Sequence, residues 1–184
     1  MNRFSVVTGD ITRSHAEAIV NAANTTLLGG RGVDGAIHAA AGPALLAECR
    51  TLGGCETGGA KLTAGYNLPA RYVIHTPGPI WHGGTQNEAA LLASCYRSCL
   101  ELAAKHGIQS VDFSSISTGV YGYPIPLAAT VAVKTIMDYL SESDTPRQVR
   151  MVCHRDSTAE IYCQTWNLWY AVSKADRIRP EILE

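Results

Sequence analysis

The sequence predicts a single α/β domain of three layers, α/β/α, around a central mixed, largely parallel sheet. Three observations predict it. Short apolar runs rich in β-branched residues are bounded by Gly, Asn or Pro, as strands are. Longer stretches with apolar residues at helical spacing lie between those runs. Unusual glycine- or amide-rich segments follow several of the runs, where the ligand crevice of an open α/β sheet lies.

Taken in order, the predicted strands are Phe4–Thr8, Ala18–Asn21, Tyr72–Thr76, Val111–Ile116 and Val149–Cys153, with Lys61–Ala64 a weaker sixth. The first predicted helix runs from Asp34 to Cys49 and carries Ile37, Ala41, Leu45 and Cys49 on one face. Thr85-x-x-Glu88 has the capping-box spacing and opens a helix with Leu91, Leu92, Cys95, Cys99 and Leu102, closed by His106-Gly107. Pro126 suits the first turn of a helix bearing Ala129, Val133, Ile136, Met137 and Leu140. Ser157-x-x-Glu160 is a second capping-box pattern, before Trp166, Leu168 and Trp169. Residues 1–173 read as one domain and 174–184 as a polar tail expected to fray.

Composition excludes several classes. The 184 residues carry 15 Lys+Arg against 16 Asp+Glu, a net charge of −1 without a basic run, which argues against a general grip on nucleic acid. No apolar stretch approaches the ~20 residues needed to span a bilayer. Met1 to Asp10 lacks an apolar signal core, so a cytoplasmic monomer is expected. Cys49, Cys55, Cys95, Cys99, Cys153 and Cys163 then read as reduced thiols rather than a disulfide framework, with no ligand spacing for a metal.

Four segments carry the chemistry. Gly9-Asp10-Ile11-Thr12 puts a carboxylate at a strand–turn junction, as a helix cap or as an acceptor for an exocyclic amine such as adenine's. Asn21-Ala22-Ala23-Asn24 runs off a buried strand; Asn21 is expected to tie down local backbone and Asn24 to face a polar ligand. Gly29-Gly30-Arg31-Gly32-Val33-Asp34-Gly35 opens a helix, so its backbone can approach a phosphate at a positive helix end. It matches neither GxGxxG nor GxxxxGK[ST], which argues against a dinucleotide oxidoreductase. Asp34 is an N-cap or a reacting carboxylate, and His38, one turn on, reads first as a satisfied core histidine. Ser117-Thr118-Gly119-Val120-Tyr121-Gly122-Tyr123-Pro124 is a second glycine loop at a strand end, able to clasp a diphosphate from the other side. Of its tyrosines, Tyr121 is the better candidate for ligand contact.

Together NAAN, LLGGRGVDGAIHAAAGP, LGGCETGGAK, VIHTPGPIW and ISTGVYGYP resemble the MacroD-type macrodomain family, collinearly from about Ser5 to Cys153. The resemblance implies ADP-ribose binding, with hydrolysis of acyl esters of its distal ribose. The substrates would be O-acetyl-ADP-ribose and proteins mono-ADP-ribosylated on acidic side chains. It implies that Asp10 accepts from the adenine amine and that the Ile11 N–H meets a ring nitrogen. The two loops, Gly29 to Gly35 and Ser117 to Gly122, hold the diphosphate. Asn24, Asp34 and Tyr121 are the catalytic set at the distal ribose, and His154 stacks on adenine. No metal or cofactor is implied. Arg31 stands where relatives often carry glycine, and Ser114-Ser115 where they often read Pro-Ala. Either Asp34 or a substrate phosphate activates the water; both stay open, as does a binding module that holds ADP-ribose without cleaving it.

Overall fold

The computed structural model describes residues 2–170 and 177–183. The elements run β1 (Phe4–Thr8), a 3-10 turn (Ile11–Arg13), β2 (Ala18–Ala23), α1 (Gly32–Ala41), α2 (Pro43–Thr51), β3 (Lys61–Ala64), β4 (Tyr72–Pro77) and α3 (Glu88–Lys105). They continue with β5 (Ser110–Phe113), α4 (Ile125–Glu142), β6 (Gln148–Cys153), α5 (Asp156–Trp169) and β7 (Glu181–Ile182). The seven strands form one sheet in the order β3-β4-β2-β5-β6-β1-β7. Every pairing is parallel except β3 against β4.

Helices cover both faces, so the inner strands are near-continuous apolar runs rather than alternating ones. In β2, Ala18, Ile19 and Val20 are all fully buried. Alternation of side chains along each strand divides them between two cores. Ile19, Ala23 and Val73 join Ile37 and Leu45 under α1 and α2. Ala18, Val20 and Ile74 join Leu92, Cys95 and Val133 under α3 and α4. Cys95 and Cys99 both sit on the buried face of α3, and the cysteines are free thiols. No described helix is long and apolar enough to cross a membrane.

Several local expectations are corrected. The stretch Asp34 to Cys49 is two helices. Gly42 takes φ +84, and Pro43, which has no N–H to donate, starts α2. Neither capping box forms. Asn87, in left-handed conformation, precedes α3, and the Glu88 carboxylate turns back to accept from the N–H groups of His82 (2.8 Å), Gly84 (3.1 Å) and Gln86 (2.6 Å). Arg155 precedes α5 without a side-chain cap. Trp166 is buried, but Leu168 and Trp169 are exposed, because they lie off the face that α5 packs. β5 ends at Phe113, and the chain leaves the sheet at Ser114, whose Oγ donates to Val20 O at 2.8 Å. The tail does not simply fray. Glu181–Ile182 pairs with β1 along the sheet edge, and Leu183 N donates to Thr8 O at 3.0 Å. Positions 174–176 and 184 of that tail lie outside the described residues.

Because β1, β2, β5 and β6 are parallel, their carboxyl ends open onto one edge of the sheet. Four predicted segments therefore meet there, although they are far apart in the chain.

Candidate functional site

A cleft crosses that edge in two connected parts. The wide part, about 650 Å³, is bordered by Asp10, Ile11, Thr118, His154 and Arg155. The narrow part, about 230 Å³, is bordered by Asn24, Gly30, Arg31, Asp34, Ser117 and Tyr121. Gly32, Val33, Ser115 and Gly119 border both, so the two glycine loops form the waist.

The first loop lies tight against its own helix. A Cβ on Gly35 would stand 2.6 Å from Gly30 O, so only glycine lets the loop close there. Arg31 precedes α1 with no side-chain cap, and the first-turn N–H groups of Gly32, Val33 and Asp34 have no intrahelical acceptor. With the helix dipole they make a positive end suited to an anion. The second loop is pinned by Tyr123 N to Ser117 O (2.9 Å), Gly122 N to Gly119 O (3.0 Å) and Trp81 N to Tyr121 O (2.9 Å). The N–H groups of Thr118, Gly119, Val120 and Tyr121 meet no acceptor among the described residues. Loops of this kind offer donors without side chains.

Ser115, singled out in the sequence only as a departure, anchors this loop. Its Oγ is 2.7 Å from Tyr162 Oη and accepts from Thr118 Oγ1 at 2.8 Å. Ser117, at φ +65, has a buried hydroxyl without a partner among the described residues. Tyr121 borders the narrow part, whereas Tyr123 packs on Trp81 with ring centres 4.5 Å apart. Gly29 and Gly122 border neither part. Gly29 O accepts from Asn24, and Gly122 closes a turn.

The two asparagines of the second segment differ in role. Asn24 borders the narrow part with one Nδ2 hydrogen unused, and the rest of its amide anchors its own loop. Nδ2 donates to Gly29 O at 2.9 Å, while Oδ1 accepts from Thr26 N at 3.1 Å and Thr26 Oγ1 at 2.6 Å. Asn21, expected to tie local backbone, instead points from β2 toward α1, where Nδ2 donates to Asp34 Oδ1 at 2.8 Å. Strand alternation explains the difference: Asn21 shares a face with Ile19, and the chain has left the sheet by Asn24. At the wide end, Asp10 Oδ1 accepts from Thr12 N (2.9 Å) and Thr12 Oγ1 (2.7 Å), which leaves Oδ2 for a ligand.

Asp34 is the only acidic residue among the described residues bordering the narrow part. It is 4% exposed, and it is no N-cap. Burial pushes its carboxyl above the ordinary value of 3.8; the Asn21 N–H and His38 pull the other way. His38 Nε2 stands 3.5 Å from Asp34 Oδ1 and makes no hydrogen bond among the described residues, so it is not the satisfied core histidine expected.

Behind Asp34, ligand-type atoms of His38, Cys49 and His75 lie within 4.8 Å of one another, a grouping that sequence spacing does not reveal. Only His38 has a ring nitrogen free among the described residues. His75 Nδ1 meets Asn21 Nδ2 at 3.1 Å, and its Nε2 meets Thr63 Oγ1 at 2.8 Å. Burial, Glu48 and Asp34 push the Cys49 thiol up to about 11, so it holds its proton. That donor set fits a buried hydrogen-bonded cluster better than a metal centre, which would need a His75 nitrogen released from its partner and Cys49 as a thiolate.

A family model described as Macro domain matches residues 20–132. A Macro domain-containing protein of Methanosarcina mazei is 54% identical over 162 residues, covering 88% of this chain and 87% of the relative. A protein of Enterobacter cloacae named O-acetyl-ADP-ribose deacetylase is 51% identical over 164 residues, covering 87% and 91%. Among solved structures, a variant of the Oceanobacillus iheyensis macrodomain with ADPR superposes with a TM-score of 0.86 at 45% identity, covering 89% of this chain and 91% of the other.

Proposed function

This chain belongs to the macrodomain family, and on that premise we propose that it is a hydrolase that binds ADP-ribose and cleaves acyl esters of its distal ribose. Relatives named O-acetyl-ADP-ribose deacetylase support the reaction, and an ADPR-bound neighbour supports the ligand. In this reading the adenosine occupies the wide part, with its amine on Asp10, a ring nitrogen at the Ile11 N–H and His154 against its face. The diphosphate crosses the waist, where the N–H groups of both loops supply donors and the helix end supplies positive potential. The distal ribose enters the narrow part beside Asp34 and Tyr121.

The observation that carries the reading is the single buried carboxylate at that end. A raised pKa makes Asp34 a better proton acceptor than an ordinary aspartate. Water gives a proton to Asp34 as its oxygen attacks the ester carbonyl. The tetrahedral intermediate then expels the ribose oxygen, which takes that proton back. The products are a free ribose hydroxyl and a carboxylic acid. The same step serves an acetyl ester and an ester to an acidic side chain of a protein. We take the setting to be cytoplasmic, on the free thiols, and the working unit to be a monomer.

Incubating the protein with O-acetyl-ADP-ribose, and separately with a protein mono-ADP-ribosylated on glutamate, tests this. Release of acetate or of ADP-ribose is expected; unchanged substrates with intact ADP-ribose binding would replace the reading with a module that only holds the nucleotide.

A further inference from the structure

We propose that His75 and Thr63 are positioning residues for the hydrolysis: together they set which face of the Asn21 amide meets the Asp34 carboxylate. The proposal rests on Asp34 being the proton acceptor. Asn21 and His75 are register partners on β2 and β4, so their side chains emerge side by side toward α1. Thr63 on β3 reaches the same face. All three side chains are buried, Asn21 and His75 completely.

The direction of each bond follows from the chemistry of the groups. Asn21 Nδ2 donates to Asp34 Oδ1 at 2.8 Å and lies 3.1 Å from His75 Nδ1. An amide nitrogen donates and does not accept, so His75 Nδ1 must be the lone-pair nitrogen. The single ring proton then sits on Nε2 and is donated to Thr63 Oγ1 at 2.8 Å. Both amide hydrogens of Asn21 are thereby used, one on the carboxylate and one on the imidazole.

The amide pays for this orientation at its other end: Oδ1 is buried with no partner among the described residues. Turned over, that oxygen would face the Asp34 carboxylate and the His75 lone pair, two repulsive contacts. The orientation is therefore held by the two nitrogen contacts, and His75 supplies one of them. Should His75 carry its proton on Nδ1, or carry two, the amide would lose that contact and Asp34 its fixed donor. Burial keeps the ring neutral, lowering it to about 3, and neighbouring His38 acts in the same direction. The groups around the cluster are His38 from α1, Glu48 and the protonated Cys49 from α2, Thr63 from β3 and Asn21 from β2.

Two measurements test it. In nitrogen-15 spectra of the wild-type protein, His75 should show an unprotonated Nδ1 and a protonated Nε2 across neutral pH; the opposite tautomer overturns the proposal. In pH profiles of kcat/KM on O-acetyl-ADP-ribose, His75→Leu should move the acid limb upward by about one pH unit, a tenfold loss on that limb, with ADP-ribose affinity held within about twofold. His75→Asn, whose side-chain oxygen can stand where Nδ1 stood, should return the limb. An unmoved limb in His75→Leu, or no return in His75→Asn, overturns the proposal. Thr63→Val, nearly isosteric, should move the limb in the same direction by a smaller amount and decides the matter if His75→Leu does not fold. If the wild-type protein hydrolyses no ester, the proposed function fails on its own. The tautomer, and the titration of the Asp34 carboxyl carbon in the same variants, still read the positioning directly.

Discussion

The two ends of the cleft are built by different means. The wide end is shaped by backbone and by exposed side chains: Asp10 and His154 face solvent, and Asp10 already has one oxygen occupied by its own turn. The narrow end is backed by side chains that water does not reach, from Asp34 through Asn21 to His75 and Thr63. Exposed contacts trade water for ligand and change affinity modestly, whereas buried polar groups have no alternative partner and act as a unit. The difference teaches that, on the proposed function, grip and chemistry are separable, with the glycine waist between them.

The largest expected effect tests that separation directly. Asp34→Ala should lower hydrolysis of O-acetyl-ADP-ribose by roughly 10²- to 10⁴-fold, the range of a lost general base, and change ADP-ribose affinity by less than about threefold in calorimetry. Parallel losses of turnover and affinity would merge the two ends into one. A smaller effect concerns the buried backing alone. His75 titrates near its ordinary 6.5 when unfolded and near 3 when folded, because burial disfavours its charged form. Below pH 6.5 the unfolded chain therefore binds the extra proton, and stability falls as pH drops toward 3. Between pH 7 and pH 5 this group should remove about 2 kcal/mol, read as the fall in urea-unfolding free energy of wild type beyond that of His75→Asn. Equal slopes in the two proteins would mean that His75 is open to water. The smallest effect belongs to the wide end. Asp10→Ala should weaken ADP-ribose binding about tenfold, about 1.4 kcal/mol, while leaving saturating turnover unchanged. A fall in kcat there would show that the ends are coupled.

How much was legible follows from how local each feature is. The strands announced themselves because a sheet covered on both faces needs continuous apolar runs, as in Ala18-Ile19-Val20. The glycine loops showed because close backbone approach restricts the residue type, as Gly35 against Gly30 O illustrates. Asp34 stood out as the carboxylate of its loop. The capping boxes misled because Glu88 found backbone donors in the preceding loop, which no spacing rule anticipates. The break at Gly42-Pro43 does not show in the periodicity, because the apolar face of α2 continues that of α1 closely enough to mimic one helix.

The sequence by itself determined the layered α/β architecture, the two glycine loops and the carboxylate beside them, since each is written in contiguous residues through periodicity, glycine placement or charge. Tertiary structure alone decided that Asn21 holds Asp34, that His75 and Thr63 stand behind it, and that Glu181–Ile182 closes the sheet edge. Those partners meet through strand register and helix packing, and register exists only once the sheet has formed, so no stretch of the chain read on its own contains it.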